Sequence, residues 1–350
     1  MRIALDATPL ILTCGGLHRY VTELAVALAR EFPEDEYLLL SDQKFGLPAE
    51  APLNLAQVAN HPAARRWWLL GLPRTLREQA VQVFHGTNFE VPYAGKTPAI
   101  LTIHDLSPWR NPEWHHAAER VRRRTPWLVR LRRAERILTV SEAARREIIQ
   151  HFGVRAEFVR AVPLAAASFF RPVTVTPPQK PFFLYVGALE PRKNLPALVE
   201  AWRATRDETG AELRLVGRSR KDFVPPEPAE GLNLVGEVPD CDLPGLYSQA
   251  LAFVYPTSYE GFGLPVLEAM QCGCPVITSH DPAVKEVAGG AALHAGTVTE
   301  LAQAMRSVSA NPALREQLRQ AGLARAAQFS WARTARETRA LYAEVAGAAR

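Results

Sequence analysis

The segment Ser258-Tyr-Glu-Gly-Phe-Gly-Leu-Pro-Val-Leu-Glu-Ala-Met270 sets Glu260 and Glu268 around a Gly-Phe-Gly turn, directly after the apolar run from Ala250 to Tyr255. This order reads as strand, turn and helix, with Pro265 as a first helical residue and Glu268 about one turn in. Gly261 and Gly263 allow a ligand close to backbone N–H groups at a helix N-terminus, the natural seat of a diphosphate. A carboxylate repels phosphate, so Glu260 and Glu268 fit better as acceptors for hydroxyls on either side of it, and sugars supply hydroxyls. Taken singly, Glu268 reads equally well as a complement to the helix dipole and Glu260 as a surface loop residue.

A second stretch has the same design. In Val186-Gly-Ala-Leu-Glu-Pro-Arg-Lys-Asn-Leu-Pro196 a strand ends, the chain turns at Gly187, and a helix begins with Leu195, Leu198 and Val199 on one face. Arg192 and Lys193 stand just before that helix, where cations oppose the dipole unless an anion is bound. In the first half, Gly15-Gly16 before a helix borders the same anion or simply makes a tight turn. His104 and Asp105 follow Thr102-Ile103, where a buried strand ends, the favoured place for site residues in α/β folds; a purely structural histidine fits as well. No Ser-His-Asp or HExxH grouping and no convincing metal-ligand spacing is present.

Short apolar runs ended by turns must position these residues. Met1 to Leu10 reads as a strand, followed by the turn Thr13-Cys-Gly-Gly16 and a helix from Tyr20 to Arg30. Further strands are predicted at Tyr37–Leu40, Val81–Phe84, Ala99–Ile103 and Arg136–Val140, and, after a proline-rich stretch, at Phe182–Val186, Glu212–Val216, Leu232–Val235, Ala252–Tyr255 and Pro275–Thr278. Buried strands alternating with helices imply an α/β protein with two Rossmann-like, doubly wound halves and a ligand in a central cleft. The expected boundaries are 1–171, a linker at 172–180, 181–330, and a C-terminal helix at 331–350, opened by Ser330 as N-cap and able to pack back on the first domain.

Length and composition agree. The 350 residues exceed the usual size of one core, and 47% apolar with 22% charged residues is ordinary for a globular protein. No apolar run is long enough for a membrane span, and Asp6 interrupts any leader-like start, so neither a span nor a signal peptide is expected. The four cysteines are too scattered for a disulfide framework; Cys272-Gly-Cys274 reads as small buried residues, and a reducing cytoplasm fits. The formal net charge is +5, but arginine is concentrated between Arg120 and Arg136. That block reads as a solvated arginine-rich helix pair or as a face toward phosphates. Its admixture of Trp127, Leu128, Val129 and Leu131 suits a membrane surface better than a duplex groove.

In combination the motifs resemble the retaining glycosyltransferases of family 4, which have the GT-B architecture. The resemblance covers nearly the whole chain: Gly15-Gly-Leu-His-Arg-Tyr20, His85-Gly-Thr-Asn88, Thr102-Ile-His-Asp105, Thr139-Val-Ser-Glu142, and the two stretches quoted first, which are the specific ones. It implies that Arg192 and Lys193 hold the donor diphosphate, Glu260 contacts the donor sugar and Glu268 the ribose. Gly187, Phe262, Gly263 and Leu264 then lie along the donor, Gly16 approaches the diphosphate from the first domain, and His104 lies beside the transferred sugar. The chain departs from many relatives in two places. Ala161-Val-Pro-Leu-Ala-Ala-Ala-Ser168 lacks an Asn-Gly pair after Val-Pro, which leaves interdomain geometry open. Ala188 replaces an arginine after the strand glycine, which puts more of the phosphate neutralisation on Arg192 and Lys193.

The implied reaction is retaining transfer of a hexose, with mannose as first guess, from a nucleotide diphosphate sugar to an acceptor hydroxyl in polysaccharide or glycolipid assembly. Neither a metal nor another cofactor is required, because protein cations stabilise the departing diphosphate. The acceptor is a sugar or lipid-linked glycan, the expected location is cytoplasmic with peripheral contact at the inner face of the membrane through Arg120 to Arg136, and no nucleic acid is expected. An epimerase or phosphorylase on the same fold and a basic membrane- or nucleic-acid-binding module remain as alternatives. A dehydrogenase is disfavoured because no G-x-G-x-x-G follows the first strand.

Overall fold

The computed structural model describes residues 1–12, 15–58, 66–220 and 223–348. Cys14 and Thr13 of the predicted turn lie outside the described residues. The chain divides into two compact units, Met1–Leu164 with Ser330–Arg350, and Ala165–Phe329.

The sheet of the first unit contains β1 (Arg2–Asp6), β2 (Glu36–Leu40), β3 (Leu55–Gln57), β4 (Val83–Gly86), β5 (Ala99–Thr102), β6 (Arg136–Thr139) and β7 (Val159–Ala161). All pair in parallel, in the order β3-β2-β1-β4-β5-β6-β7. Helices cover both faces of such a sheet, so its central strands are buried throughout, as in β4 and β5. β1 is shorter than predicted: Pro9 sits in a 3-10 turn, Thr8–Ile11, that ends the extended chain at Asp6. The helix Gly16–Glu31 begins earlier than predicted and buries Tyr20, Val21, Leu24 and Leu28. Its N-cap, Gly15, has φ of 101°, a left-handed value that favours glycine.

The arginine block is one helix, a turn and a strand rather than a helix pair. The helix Glu119–Arg130 contains Pro126, which cannot donate to the Arg122 carbonyl. The indole N–H of Trp109 takes that carbonyl at 3.3 Å. The chain then turns at Arg132, φ 49°, and Arg136 already belongs to β6.

Residues Trp331–Ala348 form the last helix, which packs against Gly16–Glu31 within the first unit. Its Tyr342 hydroxyl lies 2.6 Å from His85 Nδ1; His85 Nε2 lies 2.6 Å from Thr102 Oγ1, and Tyr20 Oη 3.2 Å from the same oxygen. Burial presses His85 down to a pKa of about 3, with the nearby His104 adding to the shift, so the ring is neutral. Arg339 reaches the buried Asp35, which also receives the N-terminal ammonium.

The second unit holds β8 (Phe182–Val186), β9 (Glu212–Val216), β10 (Leu232–Gly236), β11 (Ala252–Tyr255), β12 (Val276–Thr278) and β13 (Leu293–His294). They are parallel in the order β10-β9-β8-β11-β12-β13. The unit begins at Ala165, several residues before the predicted linker, because Gln271 Nε2 donates to the carbonyls of Ala167 and Phe170, and Phe170 packs on Tyr247. The stretch 171–180 has no regular structure. Cys272 and Cys274 are buried and free. Among the described residues no helix is long and apolar enough to cross a membrane.

Candidate active site

The order of the second sheet reverses between β8 and β11, and the crevice outside such a reversal is where open α/β sheets bind ligands. The two chemistry-bearing stretches emerge there. After β8 come Gly187, the 3-10 turn Pro191–Lys193, and the helix Leu195–Arg203 with Leu195, Leu198 and Val199 buried. After β11 come Thr257 to Gly263 and the helix Leu264–Gln271. Backbone bonds stitch the two loops together: Ser258 N–H donates to the Arg192 carbonyl at 2.8 Å, and the Thr257 hydroxyl approaches the same oxygen at 3.2 Å.

Glu260 is the hub. Its Oε1 accepts from Lys193 Nζ, from Tyr255 Oη at 2.9 Å and from Thr257 Oγ1 at 2.9 Å, while its Oε2 pairs with Arg192 Nη1 at 3.1 Å. Arg192 also pairs with Glu190 through Nε at 2.7 Å, and Glu190 receives Arg220 Nη1 at 2.9 Å. Lys193 Nζ donates to Tyr255 Oη at 2.6 Å as well. The sequence reading set Arg192 and Lys193 toward phosphate and Glu260 toward a sugar as separate groups; the structure ties all three into one buried network.

Burial pushes the Glu260 carboxyl up, but the Arg192 and Lys193 charges and the bonds from Lys193 and Thr257 outweigh it and hold the group at about 2. For Lys193, burial and the Arg192 charge outweigh the Glu260 carboxylate and lower its pKa from the ordinary lysine value. A carboxylate with a depressed folded-state pKa contributes stability above its ordinary value of 4.5, and that contribution is lost as pH falls through about 2. Acid unfolding followed by circular dichroism is therefore expected to be less steep between pH 4.5 and 2 in Glu260→Gln than in the parent.

Gly263, the N-cap of Leu264–Gln271, has φ of 98°, and a Cβ there would lie 3.1 Å from Val284 Cγ2. Helix residues begin at Leu264, so Pro265 is second rather than first, which leaves the Gly263 and Leu264 amides at the helix mouth. Phe262 is buried, edge-on to Phe329 with ring centroids 6.1 Å apart. Glu268, one turn in, is also buried, with the Tyr247 hydroxyl 3.5 Å from its Oε2. Asp281 caps the neighbouring helix Pro282–Ala288 through Ala283 and Val284 N–H, and its other oxygen receives the Glu260 amide at 3.3 Å.

In the first unit, His104 follows β5 and its Nε2 lies 2.8 Å from the Thr87 carbonyl. A carbonyl only accepts, so Nε2 carries the proton and Nδ1 presents a lone pair. Burial lowers the pKa of His104, partly countered by that bond and by Asp105. Its ring stands edge-on to Tyr20, centroids 4.8 Å apart. Asp105 instead accepts from the Ser107 amide and hydroxyl, at 2.8 and 2.6 Å, a local turn role. A Cβ at Gly16 would meet nothing within 4 Å, so packing does not demand glycine there.

Glu190, Tyr255, Thr257, Arg220 and Asp281 were not singled out from the sequence. Tyr255 sits in an apolar strand run and Asp281 looks like an ordinary N-cap; only Thr257, three residues before Glu260 and just past a strand end, carries a readable signal.

The sequence matches the model of the family described as Glycosyltransferase Family 4 over residues 14–165, and that of Glycosyl transferases group 1 over residues 167–325. It is 32% identical to the O-antigen chain mannosyltransferase B of Escherichia coli, an alignment covering 95% of this chain and 96% of that protein. Among solved structures it resembles sucrose-phosphate synthase from Thermosynechococcus elongatus, with TM-score 0.75, 21% identity and 99% of each chain covered. It also resembles HepE of Anabaena in complex with UDP-glucose, with TM-score 0.73, 17% identity, and 98% and 100% covered. The two solved structures share the GT-B fold with this chain. Because the likeness to the Escherichia coli enzyme runs nearly end to end and the two family matches follow each other along the chain, this protein belongs to the family 4, group 1 glycosyltransferases.

Proposed function

We propose that the chain transfers a hexosyl group, mannosyl in the first instance, from a nucleotide diphosphate sugar to an acceptor hydroxyl with retention at the anomeric carbon, in polysaccharide or glycolipid assembly. The observation that carries this reading is the Glu260 carboxylate held ionised between Arg192 and Lys193 beside the helix mouth at Gly263. The similarity to a mannosyltransferase supports the choice of sugar.

In this mechanism the bond from anomeric carbon to diphosphate oxygen breaks, and the acceptor oxygen bonds to the same face of that carbon. The acceptor proton passes to the departing diphosphate oxygen. Negative charge grows on the diphosphate, and Arg192, the remaining N–H of Lys193 and the Gly263 and Leu264 amides stabilise it. Lys193 has three donors and uses two on Tyr255 and Glu260. We assign neutralisation to these groups, with no metal or further cofactor required. Glu260 Oε1 already takes three donors, so a sugar hydroxyl is accepted by Oε2. Glu268 is assigned to the ribose, with Gly187 and Phe262 along the donor and Gly16 toward the diphosphate. His104 Nδ1 accepts from a hydroxyl of the transferred sugar.

Thermal-shift screening against GDP-mannose, UDP-glucose and ADP-glucose is expected to raise the melting temperature with GDP-mannose most, since a ligand that binds only the native state stabilises it. Proton NMR of the product is expected to show the donor's anomeric configuration. No shift with any nucleotide sugar, or an inverted product, would defeat the reading.

Peripheral membrane contact is proposed for one face of the first unit. Leu69, Leu70, Trp127 and Leu131 of this unit are exposed. Trp68 stacks on Tyr93, whose hydroxyl receives Arg124 at 2.7 Å, and a cavity of about 420 Å³ is lined by Glu119, Arg120, Arg123, Arg124 and Trp127. Arg120, Arg133 and Arg136 are tied to Glu90, to the Pro92 and Gly95 carbonyls and to Glu344, so part of the basic block is structural. The exposed apolar groups beside Arg123 and Arg124 suit an anionic bilayer surface. Flotation is expected to carry the protein with phosphatidylglycerol vesicles and not with phosphatidylcholine vesicles, and Trp127→Ser with Leu70→Ser is expected to abolish it. Equal flotation of parent and variant would rule this face out.

A further inference from the structure

The order of the first sheet also reverses, between β1 and β4, and Asp6 is the last residue of β1 at that reversal. Its main chain is fixed by the Thr87 hydroxyl, which donates to the Asp6 carbonyl at 2.8 Å; the Thr87 carbonyl in turn receives His104. The Asp6 side chain is fixed by Thr8, whose amide and hydroxyl both donate to Oδ1, at 3.0 and 2.6 Å. Oδ2 accepts no hydrogen bond from the described residues and keeps slight solvent contact, although Asp6 is only 2% exposed.

A nearly buried carboxyl with one oxygen held by the protein and the other turned to solvent is a fixed acceptor for a donor that arrives there. The charged groups that bear on Asp6 are Glu90 and Asp42, both acidic, and Glu90 is itself occupied by a two-point pair with Arg120. Burial above all, then these two acids, raise the Asp6 carboxyl to about 7 against the bonds from Thr8. Such surroundings reject phosphate and carboxylate ligands and suit a neutral hydrogen-bond donor. Strand-end placement at a sheet reversal is where a ligand would arrive.

We propose that Asp6 binds the acceptor: its Oδ2 takes a hydrogen bond from a hydroxyl of the acceptor sugar at the strand-end face of the first sheet, in the company of Thr87 and His104. This assignment rests on the glycosyl-transfer reading above and adds an acceptor-recognising residue to it. The arrangement is preorganised, because Thr8 and Thr87 hold both the side chain and the main chain before any ligand is present.

The test is saturation-transfer difference NMR of the full chain with methyl α-D-mannopyranoside as probe, for the parent, Asp6→Asn and Asp6→Ser, with melting curves at pH 8 and the GDP-mannose thermal shift on the same samples. The parent is expected to bind the probe, and both variants are expected to bind it roughly 10-fold or more weakly, the scale of a lost hydrogen bond to a charged group. Both variants should keep the GDP-mannose shift and melt at or above the parent at pH 8, because each removes a charge that burial and the nearby Glu90 and Asp42 disfavour. A merely structural Asp6 would lower the melting temperature instead. Equal probe binding in parent and variants, no probe binding by the parent, or a melting temperature lowered in both variants would overturn the proposal. If GDP-mannose gives no shift while probe binding still depends on Asp6, the donor reading falls and the Asp6 assignment stands.

Discussion

Glu260→Ala and Lys193→Ala are each expected to reduce turnover by about 10²-fold or more at saturating donor, the scale seen when a group that stabilises transition-state charge is removed. The two differ in what they leave behind. Without Glu260, the buried Lys193 ammonium loses its carboxylate and faces the Arg192 guanidinium, while Glu190 still compensates Arg192. Breaking a buried pair in this way costs about 3–5 kcal/mol, so Glu260→Ala should also melt markedly lower. Replacing both partners, Glu260→Gln with Lys193→Met, removes the stranded charge and is expected to restore much of the stability without restoring turnover. Near-normal turnover in any of these variants would remove the network from the active site.

Tyr342→Ala is expected to destabilise the first unit by about 3–5 kcal/mol for the buried ring, with roughly 1–3 kcal/mol more for the polar nitrogen left on His85. Tyr342 is fully buried, and its hydroxyl is the partner of His85 Nδ1. Tyr342→Phe separates the two contributions, since it keeps the ring and removes only the hydrogen bond. Calorimetry should show the larger loss for the alanine variant, and the GDP-mannose shift should persist in Tyr342→Phe. Equal melting of Tyr342→Phe and the parent would mean that the buried hydrogen bond contributes nothing.

The central strands were legible because buried parallel strands are continuous apolar runs: Phe182–Val186 and Ala252–Tyr255 were placed at their observed bounds. β3, β7 and β13 were not, because two or three residues at a sheet edge, partly exposed in each, carry no pattern. The same limit applies to the site. Glycine turns and cations before a helix are local signals, so Arg192, Lys193, Glu260 and Gly263 could be read from their own neighbourhoods. Pairing is not local. Glu260 meets Lys193 only because β8 and β11 lie side by side, and nothing in either stretch specifies that adjacency. Asp6 was read merely as the residue that ends an apolar start, since its missing partner is a property of the folded surroundings.

The first unit is assembled from both ends of the chain, with Ser330–Arg350 joined to Met1–Leu164 and the second unit continuous between them. During synthesis the second unit can therefore complete its fold while the first still lacks its closing helix. Until that helix arrives, the His85 ring and the face of Gly16–Glu31 that packs on it are left uncovered. Domain-wise folding normally favours the N-terminal part of a chain. Here the contact between His85 and Tyr342 spans most of the chain, so docking of the last helix has to follow synthesis of the whole second unit.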